Sequence, residues 1–124
     1  MSRIRIASAY DKSNNHQMKT LLKNRIYVPI YDHYFHLFIV DEIPKEDGQA
    51  YVCTTENKVI YVTFQETNLH PALITHEVVH IVNRIFEFKG VKLDTSNDET
   101  QAYLTEYIFN EIWKRINKCQ SKNL

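Results

Sequence analysis

At "TNLHP", residues 67–71, the pattern of the chain changes period. Just before it, "KVIYVTFQE" places Val59, Tyr61 and Thr63 on one face and Ile60, Val62 and Phe64 on the other, the two-residue repeat of a strand. Neither face is polar, so this strand is expected to be covered on both sides. Just after it, "PALITHEVVHIVNRIFEFKG" is apolar at helical spacing. Asn68 can cap this helix, Pro71 suits its first turn and Gly90 ends it, so a helix is expected over about residues 71–88. Strands that precede helices, rather than alternating with them, predict an α+β fold.

The rest of the chain fills in that plan. "QAYVCTTENKVIYVTFQE" reads as a hairpin with arms at 51–54 and 59–64 and a turn in "TENK". "RIYVPIYDHYFHLFIVDEIPKEDG" is rich in Tyr, Phe, Val and Ile and reads as one or two strands ending near Asp41. Pro29 marks an interruption or an edge position there. "HQMKTLLKNRI" reads as a short helix with Met18, Leu21, Leu22 and Ile26 on one side. A second long helix is expected from Ser96 or Asn97 to about Lys118. Acids stand at its start (Asp94, Asp98, Glu99) and bases at its end (Lys114, Arg115, Lys118), as the helix dipole favours. The predicted architecture is a small antiparallel or mixed sheet, a motif helix and a C-terminal helix, all in one domain over residues 1–124.

The motif helix carries the chemistry. "ITHEVVHIV" sets His76 and His80 four residues apart, with Glu77 directly after the first. Residues i and i+4 are separated by about 40° around a helix, so both imidazoles can aim at one point. Glu77 lies roughly 100° round from His76, too far for an equivalent ligand but within reach of a water at that point. This is the mechanical content of H-E-x-x-H: two zinc ligands and one general base. The helix is apolar nearly all round and is expected to be buried. Buried imidazoles and a carboxylate need a compensating partner, which a metal supplies. With six histidines in the chain, chance produces the pattern in roughly 2 of 100 shuffled sequences.

Catalytic zinc takes three protein ligands. A histidine at the end of H-E-x-x-H-x-x-G-x-x-H is excluded, because Asn83 and Phe86 hold the glycine and histidine positions; four beyond the motif stands Arg84. The remaining candidates are Asp94, Asp98 and Glu99. Glu99 is preferred, 19 residues after His80 in the pattern H-E-x-x-H-x18-E, although Ser96-x-x-Glu99 also reads as a capping box, which leaves Asp98 open as a ligand.

"HEVVH" followed by Glu99 in "NDETQAYLTEY" resembles the gluzincin group of zinc metallopeptidases, and especially minimal zincin-like domains often carried by phages and mobile elements. The resemblance covers about residues 59–106. It implies a zinc-dependent peptidase, with His76, His80 and Glu99 as ligands and Glu77 as base. It also implies that "KVIYVTFQE" is the sheet edge that pairs with extended substrate. The sequence departs from the family pattern in two places. Tyr103 stands where thermolysin-like peptidases carry an aspartate that orients a ligand histidine, a role left to Glu106 or Asn83. Only 25 residues follow Glu99, so the family's downstream oxyanion donor has no counterpart. Tyr103, Tyr107 or a tyrosine from the β half is the candidate replacement, and Tyr103 and Tyr107 read more simply as aromatic core.

The other histidines have plainer readings. His33 and His36 fall on opposite faces of a strand, His70 is a surface or cap residue with some chance of lining the cleft, and His16 has no context. Fifteen basic residues balance fifteen acidic ones, which gives no electrostatic reason to expect nucleic acid or an anionic membrane as partner. No secretory signal leads the chain, no apolar run reaches transmembrane length, and Cys53 and Cys119 lack metal spacing; a cytoplasmic protein with free thiols is expected. The expected substrate is a peptide or protein. The alternative is a zincin-fold metal-binding module that regulates or contacts another protein.

Overall fold

The computed structural model describes residues 4–6 and 18–122, with side chains from 18 to 119. Five strands form one sheet: β1 (Ile4–Ile6), β2 (Thr20–Val28), β3 (His33–Val40), β4 (Ala50–Thr54) and β5 (Ile60–Gln65). Two helices follow, α1 (Pro71–Lys89) and α2 (Glu99–Lys122). The strand order is β1-β4-β5-β3-β2. The pairs β2–β3 and β4–β5 are antiparallel, while β3–β5 and β1–β4 are parallel. The fold is the expected α+β arrangement with a C-terminal helix. His16, and the rest of residues 7–17, lie outside the described residues.

Alternation sorts the strands into two faces. Ile26 and Val28 of β2, Phe35, Leu37 and Ile39 of β3, Val52 of β4, and Ile60, Val62 and Phe64 of β5 point one way and are buried. They meet Ile74, Val78, Ile81, Val82, Ile85 and Phe86 of α1, and Leu104, Ile108, Ile112 and Ile116 of α2. The opposite face has a smaller buried cluster of Val40, Ile43, Tyr51 and Cys53, with Tyr61 packed against it. The two-sided cover expected for β5 therefore holds along much of its length, with Thr63 also buried.

The expected helix around residues 16–26 is a strand instead. Met18, Leu21, Leu22 and Ile26 match helical spacing, but β2 pairs with β3 from Thr20↔Val40 to Val28↔His33, with one irregularity between Thr20 and Leu22. Tertiary pairing overrides a weak local pattern. β2 is an edge strand, and Pro29 ends it by opening a 3-10 turn, Pro29–Tyr31. A second expectation also changes. β5 is the central strand, bonded on both sides by β4 and β3, so "KVIYVTFQE" is not an edge for a substrate to join.

The helix limits follow local chemistry. His70, not Asn68, is the N-cap of α1; its Nδ1 accepts the Leu73 N–H at 3.4 Å, while Asn68 closes a preceding 3-10 turn. Gly90 ends α1 in the left-handed conformation, φ 68°, and a Cβ there would meet nothing within 4 Å. Gly90→Ala should therefore act through backbone strain alone, costing about 1–2 kcal/mol. Thermal melting should show this as a drop of a few degrees, with the site otherwise intact. α2 begins at Glu99 rather than at residue 96 or 97, and Ala102 N–H donates to the Asp98 carbonyl at 2.9 Å. Ser96 is thus outside the helix, in a turn where its N–H donates to Asp94 Oδ1 at 2.9 Å. The expected capping box between Ser96 and Glu99 does not form. No helix among the described residues is long and apolar enough to cross a membrane.

Candidate metal centre

α1 lies on β4 and β5 with α2 beside it. Its apolar positions 74, 78, 81, 82 and 85 form the stripe that meets the sheet. The helix is not buried all round, as its composition suggests. His76 is exposed, His80 is half-buried, and Val79 is 42 % exposed. The reason is geometric: α2 covers one flank of α1 and β4 the other, so the side opposite the stripe faces solvent. Val79 and His76 share that side.

The motif divides across this boundary. The His76 and His80 rings sit edge to face with centroids 5.2 Å apart, as the i, i+4 spacing requires. Glu77, one step round the helix, is fully buried at the margin of the apolar stripe. Desolvation holds His80 below the usual histidine pKa; the positive charges of His76 and Arg84 lower it further.

A cleft of about 380 Å³ opens beside the motif, walled by Gly48, Gln49 and Ala50 on one side and His70, Ala72, Leu73, His76 and Glu77 on the other. His76 and Glu77 both line it, with the Glu77 side chain fully buried. His70, six residues before His76, enters the same cleft, and its capping bond holds its ring there. The wall from Gly48 to Ala50 was not legible from the motif. It lies some 26 residues before His76 and reaches the site only because β4 pairs with β5 under α1.

Glu99 is exposed in the first turn of α2. From the 3.6-residue repeat it lies roughly 180° round from the buried stripe of Leu104, Ile108 and Ile112. Among the described residues no three or more His, Cys, Asp or Glu side chains are grouped to hold a metal ion. The structure sets His76 and Glu77 on one cleft with the His80 ring against His76, and places Asp98 and Glu99 at the start of the neighbouring helix.

The supporting residues also find places. Asn83, three positions after His80 and so its neighbour on the helix, has a buried Oδ1 without a hydrogen-bond partner among the described residues. Glu106 is exposed on α2. The Tyr107 hydroxyl donates to the Tyr27 carbonyl at 3.1 Å, which ties α2 to β2. Tyr103 is not core: it is 64 % exposed and lines a separate hollow of about 1380 Å³ between α2, Thr75 and Val78 of α1, and the β2–β3 turn. Neither metal-motif histidine faces that hollow. His33 and His36 do lie on opposite sheet faces. His33 Nε2–H donates to the Lys58 carbonyl at 2.8 Å and its ring packs on Phe88, whereas His36 stacks on Tyr61. Neither Cys53 nor Cys119 forms a disulfide among the described residues. Comparison with protein-family models, curated proteins and solved structures returned no match.

Proposed function

We propose that the chain is a zinc-dependent metallopeptidase that hydrolyses peptide bonds in a peptide or protein substrate. The observation that carries this reading is the shared cleft: His76 and Glu77 line one space, with the His80 ring packed against His76. Two features of the surroundings fit a metal. The paired imidazoles are the donor type zinc favours. The buried Asn83 Oδ1, three residues after His80, is an acceptor of the kind that holds the outer N–H of a ligating histidine.

In this reading His76 and His80 would hold zinc, and Glu99, at the exposed start of α2, would be the third ligand. Bound zinc supplies Lewis acidity, making water reactive near neutral pH and polarising the peptide carbonyl. Glu77 takes the proton from that water and delivers it to the leaving amine. Its burial keeps bulk solvent from competing for the proton. The main chain of Gly48 to Ala50 forms the opposite wall and offers backbone groups to align an extended peptide. The compartment proposed is the cytoplasm, where Cys53 and Cys119 remain thiols.

The reading predicts cleavage within a mixed peptide library, stopped by a chelator and restored by zinc. Zinc binding without any cleavage would favour the alternative, a metal-binding module that contacts another protein. Cleavage unaffected by the chelator would exclude the metal mechanism.

A further inference from the structure

The sheet face turned away from the helices carries a second pattern, independent of the metal motif. Lys23 and Arg25 of β2 are exposed there, and Tyr27 and Tyr34 are 38 % and 43 % exposed. The register places Arg25 opposite His36, Tyr27 opposite Tyr34 and Lys23 opposite Phe38. His36 and Phe38 in turn neighbour Tyr61 and Thr63 on β5.

These side chains interleave. The Arg25 guanidinium lies 4.4 Å from the Tyr34 ring centroid, and the Lys23 ammonium lies 5.8 Å from that of Phe38. Tyr27 and Tyr34 pack at 4.8 Å, and His36 stacks on Tyr61 at 5.1 Å with an interplanar angle of 28°. The positions on this face, 23, 25 and 27 of β2, 34, 36 and 38 of β3, and 61 and 63 of β5, include no carboxylate. The nearest, Asp32, sits past the end of β2 and accepts the Tyr27 hydroxyl at 2.8 Å. The local field is positive: burial lowers the His36 pKa, and Lys23 and Arg25 lower it further. The balance of charge over the whole chain conceals this one-sided distribution.

From this arrangement we infer that the β2–β3–β5 face binds single-stranded nucleic acid. Three adjacent strands span about 10 Å, room for two or three nucleotides. Exposed rings and the Arg25 plane offer stacking surfaces that suit unpaired bases of any sequence, while Lys23 and Arg25 neutralise the phosphates. Paired bases in a duplex do not present their faces, so the platform selects single strands. The sheet separates this face from α1, so binding here does not depend on the metal-site reading.

Fluorescence anisotropy with a labelled oligothymidylate of about 12 nucleotides tests the inference on the full chain. Saturable binding is expected, with a log–log salt slope near −1.4, about −0.7 for each of two neutralised phosphates. Arg25→Gln should make the slope shallower by about 0.7. Tyr34→Ala should weaken binding by about fivefold or more, whereas Tyr34→Phe, which keeps the ring, should stay within about twofold. Lys114→Ala, on the far side of α2, should bind as the wild type does. The inference is overturned by no anisotropy change up to about 1 mM protein, above the range of about 1–100 µM usual for such binding. It is equally overturned if Tyr34→Ala binds like the wild type, if a duplex of the same length binds as tightly, or if polyglutamate of matched charge competes equally well.

Discussion

Glu77→Gln should retain zinc and lose peptide hydrolysis by about two to four orders of magnitude, the usual contribution of a positioned general base. The substitution keeps the shape of a fully buried side chain at the cleft wall and removes only its ability to take a proton. The fold should survive, because the amide matches the carboxylate in size and shape. The loss should fall on kcat, with KM little altered, since Glu77 acts on the attacking water and not on the bound peptide. The comparison variant is His80→Ala, which should lose zinc and activity together. Full activity in Glu77→Gln would remove Glu77 from the mechanism, and loss of zinc along with activity would make it a ligand instead.

The largest effect on stability should come from Phe64→Ala. Phe64 sits on the central strand, is completely buried, and pairs laterally with Ala50 and Ile39. Its side chain belongs to the cluster in which both helices pack on the sheet. Truncating a buried phenylalanine costs about 3–5 kcal/mol, of which part is the cavity left behind. Total stability for a domain of this kind is about 5–15 kcal/mol, so a large share is lost. A fall in Tm of about 10–20 °C is expected by calorimetry. Val79→Ala is the control: it is 42 % exposed on α1, so its cost should stay within about 0.5 kcal/mol. Equal effects from the two would mean that α1 packs on the sheet through a different face.

Both residues were legible in the sequence because their signals are local. Glu77 is read from its place beside His76, and Phe64 from its phase in an alternating strand. The same holds for the ends of α1, where Pro71 and Gly90 act on the backbone directly. Where the outcome depends on distant pairing, local signals fall short. Leu21, Leu22 and Ile26 have helical spacing, yet β2 gains a full ladder with β3 and becomes a strand. The family resemblance implied that β5 is an edge, but the parallel pairing with β3 places it at the centre.

The site divides in the same way. His76, Glu77 and His80 follow from helix geometry alone. The wall formed by Gly48 to Ala50 depends on the β4–β5 hairpin and has no signature of its own. The aromatic and basic face of β2 and β3 was hidden for a related reason: once residues 16–26 are read as a helix, Lys23 and Arg25 no longer share a side. Glu99 depended on an orientation between two helices that spacing does not specify.

The central claim is that His76, His80 and Glu99 hold one zinc ion. Native mass spectrometry of chain purified without chelators and supplied with zinc tests it most directly. One zinc per chain is expected in the wild type, none in the His76→Ala/His80→Ala double variant, and a weakened, more easily chelated ion in Glu99→Gln. A wild type that takes up no zinc, or a double variant that keeps it, would contradict the account.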